Sequence, residues 1–238
     1  MRNRTGFTLI ELLLVVAVIV LLIALSLPAL ASVRRQALVV QCASNQRQIG
    51  VGWGSYLSQS GDLFPIAGNL RNLDWAYGGN PSAMSVRHFG FPRPLNPFMG
   101  LSGDEADNYE VFRCTEDQPI RSVLGIPSSI TRAPTFKIFG NSYQLNYILV
   151  RMDPQGQQVE SPLSVGEIEL SPSRVLLTAD AQAWFSALNS FAFDANFHSD
   201  DDRMNVLFLD GHVKFMRIER GVVQTADYSF PITRVNDR

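Results

Sequence analysis

The chain has 238 residues, with 20 Lys and Arg against 22 Asp and Glu, a formal charge of −2. No basic block and no basic-aromatic interleaving occurs, so neither charge nor pattern points to a nucleic-acid partner. Two cysteines are too few for a disulfide-built scaffold, and some 200 residues beyond the apolar N-terminus are enough for one domain with a real core.

The N-terminus reads MRNRTGFTLIELLLVVAVIVLLIALSLPALA. The stretch from Leu12 to Ala31 is 20 residues of almost unbroken apolar character, enough for a bilayer span. Glu11 stands at its head as a lone carboxylate. A charge at bilayer depth is costly, so a plain membrane anchor has no reason to keep it. Arg2 and Arg4 upstream tilt the topology slightly toward an inside N-terminus. A rival reading uses Ala29-Leu30-Ala31 as the small-x-small site of a Sec signal peptide, which would release a soluble domain starting at Ser32. The apolar stretch exceeds the ~7–15 residues of an ordinary signal core, and Glu11 fits it poorly.

Gly6-Phe7-Thr8-Leu9-Ile10-Glu11-Leu12 resembles the N-terminal signature of type IV prepilins and type II secretion pseudopilins. The resemblance implies cleavage by a prepilin peptidase between Gly6 and Phe7 and N-methylation of Phe7. It implies that Glu11 compensates the charged Phe7 amine of a neighbouring subunit in a filament. The physics agrees, since a desolvated carboxylate needs a cationic partner. Pro28 matches the place where such helices often bend. The implied partners are the peptidase, the inner-membrane assembly machinery, homologous pilin-like subunits and membrane lipid. The implied location is the bacterial inner membrane, single-pass, with the C-terminal domain in the periplasm or outside.

Downstream, Leu38, Cys42, Asn45, Ile49, Trp53 and Tyr56 recur at three- and four-residue steps, the mark of one helical face. A helix from Phe7 to about Ser58 would be roughly 75–80 Å long at 1.5 Å per residue. Gly50, Gly52 and Gly54 interrupt it; they either let a sheet approach closely or end the helix near Gly50. Gly61 is the expected stop. The expected organisation is a leader at 1–6, a transmembrane helix at 7–31, an amphipathic continuation at 32–60 and a globular domain at 61–238.

Residues 61–140 are rich in Pro, Gly and Asn and read as long loops, with 110–117 a strand end leading into a turn. Residues 141–150 alternate like a strand, and 173–180 form a short apolar run closed by Asp180, as in a buried central strand. In 204–218 two apolar runs flank Asp210-Gly211, which predicts a two-residue type I′ hairpin turn. Val206 and Phe208 should share one face, Leu207 and Leu209 the other. A long helix on an antiparallel sheet makes the fold class α+β, pilin-like.

His198 followed by Asp210-Gly211 resembles the C-terminal segment of large prepilin-type proteins with an H-X9-DG pattern, although 11 residues intervene here. Residues 42–50 resemble the post-anchor helix of the same group. Phe112 to Asp117 and Asn141-Ser142-Tyr143 resemble it more loosely. His198, Asp200, Asp202 and Asp210, with Asp201 and Asp180 nearby in sequence, form a candidate cation site, and oxygen-rich loops suit Ca2+. Some pseudopilins hold calcium in a C-terminal loop. The alternative is a solvated acidic loop beside a turn. Cys42 and Cys114 permit one intramolecular disulfide if the domain is exported; otherwise they are two buried thiols. Three histidines and scattered serines form no recognisable triad, and neither GxSxG nor a P-loop occurs, so no enzymatic activity is expected. The filament reading stands against two others, an anchored envelope protein that never polymerises and a Sec-exported binding domain.

Overall fold

The structure, a computed structural model, describes residues 8–66, 77–81, 93–101, 109–117, 133–150, 161–187, 197–198 and 201–230. Gly6, Phe7, Asp200 and the leader at 1–6 lie outside the described residues. The chain divides into two compact units, Met1–Leu38 and Val39–Arg238.

One helix, α1 (Leu9–Ser60), supplies most of the first unit and the opening of the second. Its start is a capping box. Thr8 is the N-cap, and its carbonyl accepts the first intrahelical bond from Leu12 N at 3.2 Å. Thr8 N–H and Thr8 Oγ1 both donate to Glu11 Oε2 at 2.8 Å, while Glu11 N–H donates back to Thr8 Oγ1 at 3.3 Å. From Leu9 to Val33 the large apolar side chains are exposed on every side of the helix. All-round apolarity of this kind belongs to a helix whose solvent is lipid, and α1 is long and apolar enough to cross a membrane. The helix runs through Pro28, whose missing N–H leaves the Ala24 carbonyl without its intrahelical donor.

In the second unit α1 becomes one-sided. Cys42, Ala43, Gln46, Ile49, Gly52, Trp53 and Leu57 are buried, whereas Gln41, Arg47, Gln48 and Val51 are exposed. The expected face is there, with Gln46 added to it. The glycines do not end the helix. A Cβ on Gly50 would lie 3.0 Å from Leu207 Cδ1, so here the sheet comes close, as one of the two readings held. Gly52 faces Met99 just as tightly, while Gly54 faces open space. The helix ends at Ser60, where Asp62 N–H donates to Leu57 O at 2.8 Å across Gly61.

Four strands form an antiparallel sheet in chain order: β1 (Tyr143–Leu145), β2 (Leu176–Asp180), β3 (Arg203–Phe208) and β4 (Val213–Arg217). With α1 this makes an α+β fold. β2 is central, as its apolar run implies. It carries a bulge: Leu176 pairs with Phe208 but Thr178 pairs with Leu207, so Leu177 is the inserted residue. Both sheet faces are covered. One core gathers Ile49, Trp53 and Leu57 of α1 with Tyr143, Leu145, Leu177 and Leu207. The other gathers Leu176, Ala179, Met204, Val206 and Phe208 with Ile218, Tyr228 and Phe230. The predicted alternation along β3 therefore holds, but the second face meets the C-terminal segment rather than solvent. Trp53 centres the first core, with ring centroids 5.6 Å from Tyr56, 5.8 Å from Phe64 and 5.6 Å from Tyr77.

Three local expectations give way. Residues 109–112 are a 3-10 turn, not a strand end, and the strand expected over 141–150 stops at Leu145 before a second 3-10 turn at Tyr147–Val150. The β3–β4 hairpin has a three-residue loop. Phe208 N–H donates to His212 O and Gly211 N–H to Phe208 O, both at 2.9 Å. Only Gly211 has positive φ, +89°, whereas a type I′ turn would require it at Asp210 too. A type I turn closed by a left-handed glycine satisfies the strand twist with one more residue.

Among the described residues are also two short helices, α2 (Thr135–Phe139) and α3 (Ala183–Ala187). Asp117 begins α2 by accepting from Thr135 N at 3.0 Å and Phe136 N at 2.7 Å. Asn96 holds Gly79 on both sides: Gly79 N–H donates to Asn96 Oδ1 at 2.8 Å and Asn96 Nδ2 donates to Gly79 O at 2.9 Å. Gly79 has φ +104°, and a Cβ there would lie 2.0 Å from Gly140 O. Gly54→Ala should raise stability by about 0.5–1 kcal/mol through helix propensity alone, and Gly79→Ala should lower it by more than about 1 kcal/mol because both φ and space forbid the side chain. Denaturant midpoints of the two variants in the same detergent check this; movement in the same direction would contradict the packing described.

Candidate functional site

Four buried polar side chains, distant in sequence, converge on one place inside the second unit. Cys42 comes from α1, Cys114 from the loop after the 109–112 turn, Asp180 from the end of β2 and His198 from just before β3. Cys42 and Cys114 have no exposed surface, Asp180 has 1% and His198 has 5%. Cys42 Sγ, Cys114 Sγ and a ring nitrogen of His198 all lie within 4.8 Å of one another. Cys114 Sγ is 3.4 Å from His198 Nε2, and Asp180 Oδ2 is also 3.4 Å from that nitrogen. On the other side of the ring, Nδ1 meets Glu116 Oε2 at 3.0 Å. Both cysteines are free thiols, not a disulfide.

The surrounding polar groups hold this cluster in place. Asn205 N–H donates to Asp180 Oδ2 at 2.8 Å. Gln46 Nε2 donates both to Asp180 Oδ1 and to Asn205 O, each at 3.1 Å. Asn205 Nδ2 reaches back to Val39 O on α1 at 3.2 Å. One helical turn away, Asn45 Nδ2 donates to Arg113 O at 3.0 Å, which fixes the loop that carries Cys114. Helix, loop and sheet are thus tied by side-chain amides rather than by ladder bonds.

Charge is concentrated here with little water to screen it. Burial pushes the Asp180 carboxyl up to about 7, against the opposing pull of His198 and the Asn205 amide. Burial pulls the His198 imidazole down, but its bond to Cys42 and the charges of Asp180 and Cys42 outweigh that and raise it to about 9. The hydrogen bond from Cys114 holds the Cys42 thiol below the ordinary cysteine range, while burial drives Cys114 well above it. These directions favour negative charge on Cys42 over Cys114 and positive charge on His198. A nucleophilic cysteine needs access for a substrate, and both sulfur-bearing residues are fully buried.

Among the described residues, the carboxylates of the acidic loop and the hairpin turn have partners elsewhere. Asp202 accepts from Arg220 Nε at 2.8 Å and Nη2 at 3.1 Å, and Asp201 pairs with Arg203 at 3.0 Å. Asp210 stays in the hairpin turn, where Oδ1 accepts from His212 N at 3.1 Å and meets Nδ1 at 2.6 Å. His198 faces the Cys114 sulfur through Nε2 and Glu116 through Nδ1, and of the described acids in the expected cation set Asp180 joins it. Among the described residues, the groups spaced to share a metal are Cys42, Cys114 and His198. Sequence reasoning missed Gln46, Glu116 and Asn205. Gln46 lies one turn after Cys42, on the face already marked by the apolar spacing; Glu116 and Asn205 carried no comparable signal.

Residues 1–27 match the family model of the prokaryotic N-terminal methylation motif. No curated protein and no solved structure matches the chain. The motif is consistent with a type IV prepilin or pseudopilin-like protein, and together with the long apolar α1 it fits a membrane-anchored, single-pass protein.

Gln46→Leu should destabilise the second unit by about 1–3 kcal/mol, because it strands a buried carboxylate oxygen and a backbone carbonyl. The exposed Arg47→Ala should stay within about 0.5 kcal/mol of the wild type. Chemical denaturation followed by tryptophan emission compares them; equal effects would show that the Gln46 bridge carries no stability.

Proposed function

We propose that this chain is a pilin-like subunit of a type II secretion or type IV pilus-type filament, cut by a prepilin peptidase after Gly6 and methylated on Phe7. The observation that carries this reading is the methylation motif over residues 1–27, set on a helix able to span a bilayer. Before assembly the subunit sits in the inner membrane with its leader inside and its domain in the periplasm or beyond. Assembly machinery then extracts it, and the apolar helices bundle. Burial of Leu, Val and Ile surface supplies the main driving force, at about 25 cal/mol per Å2.

Glu11 has two parts in this scheme. In the single chain its carboxylate caps the helix through Thr8. In the filament it faces the Phe7 amine of a neighbour, which supplies register rather than bulk stability. Substitution separates the parts. Glu11→Gln keeps an acceptor for Thr8 and removes the charge; Glu11→Ala removes both. Both variants should fold their domain and fail to assemble normally. Normal filaments from Glu11→Gln would reduce Glu11 to a helix cap.

The mature N-terminus, read by intact mass and terminal peptide sequencing of membrane-fraction protein, tests processing directly. The expected start is N-methylated Phe7. A start at Ser32 would mean a Sec-released domain, and an uncut Met1 would mean a plain anchor; either result overturns the proposal.

A further inference from the structure

The Cys42, Cys114 and His198 cluster has the makings of a site that a filament subunit does not require. We propose that these three side chains bind one divalent transition-metal ion of the zinc type.

The donor set selects the class of ion. Two sulfurs and an imidazole nitrogen suit zinc-type ions, whereas calcium and magnesium take oxygen shells. The three donor atoms already lie within 4.8 Å of one another. Asp180 Oδ2 lies 3.4 Å from His198 Nε2, beside this set of three. His198 is also oriented as a ligand. Its Nε2 faces the sulfur of Cys114, and its Nδ1 is held at 3.0 Å by Glu116, the carboxylate–histidine arrangement that fixes the ring of a metal ligand. Asp180 is held in turn by Asn205 N–H and Gln46 Nε2.

Charge makes the same case. Two thiolates and a carboxylate together would bury three negative charges, which a dication largely offsets. A Cys42–Cys114 disulfide would use only the sulfurs and leave His198 and Asp180 buried with each other. Closed burial, which argues against catalysis, is what structural metal sites have. The ligands come from α1, the 113–117 loop and the segment before β3, so the ion would staple parts of the second unit that are far apart in sequence.

The test uses the full chain, purified in detergent under a phosphine reductant and stripped with a chelator. Cobalt(II) is added and followed by sulfur-to-cobalt charge-transfer absorption and by the visible bands of tetrahedral cobalt. Zinc is then added to displace it, with metal content measured by elemental analysis. One equivalent per chain is expected. Cys42→Ser and Cys114→Ser should each lose most of the charge-transfer band, and Glu116→Gln should weaken binding about 10–100-fold while keeping the ligands. Circular dichroism of each variant identifies any that does not fold. The proposal is overturned if the folded, reduced wild type binds no cobalt or zinc. It is equally overturned if the double cysteine variant binds as well as the wild type, or if the two cysteines resist reduction as a disulfide in the folded protein.

Discussion

A carboxylate with 1% exposure cannot be left to water, and the second unit is organised around satisfying the one on Asp180. Its two oxygens take bonds from a helix side chain, Gln46, and a neighbouring-strand amide, Asn205. The same Gln46 amide also reaches Asn205 O, so one side chain of α1 reads both β2 and β3. Move α1 along its axis by one turn and these partners are lost together. Apolar contacts such as Ile49 and Trp53 on the first core are tolerant of small slips; the Asp180 bonds are not. They set the register in which the helix lies on the sheet.

That register has consequences around it. It puts Gly50 against Leu207, where a larger residue would need the leucine to move. It puts Cys42 beside Cys114 and His198, so the charged cluster is a by-product of the same seating that pairs Gln46 with Asp180. Asn45 fixes the Cys114 loop from the adjacent helical position. The opposite sheet face is independent of all this. It is closed by Tyr228 and Phe230, whose rings lie 6.1 Å apart, and by Ile218, with Asn146 Nδ2 donating to Leu176 O and Phe230 O at 2.9 Å.

The first unit obeys a different constraint. From Leu9 to Val33 its large apolar side chains are exposed, on a helix long and apolar enough to cross a membrane. Among the described residues there, the Thr8–Glu11 capping box answers for orphan amides at the N-terminus of the helix. A carboxylate already engaged by Thr8 is less exposed to the cost of the bilayer than a bare one. The local cap and an intermolecular role are therefore compatible in one residue.

Local pattern sufficed for much of this molecule. The apolar run, the Glu11 position, the 42–56 helical face, the central place of 173–180 and the alternation of Val206 and Leu207 are all properties of neighbours in sequence, set by periods of 3.6 and 2 and by bilayer thickness. The hairpin shows the limit of such reasoning. Asp210-Gly211 marks the turn, but the loop length depends on how β4 pairs with β3, with Val213 opposite Leu207. The site lay further out of reach. Cys114 and His198 are 84 residues apart, and no spacing rule brings them together. Their meeting was decided by tertiary structure, because the helix, the loop and two strands must all be seated before one buried pocket of charge exists for them to share.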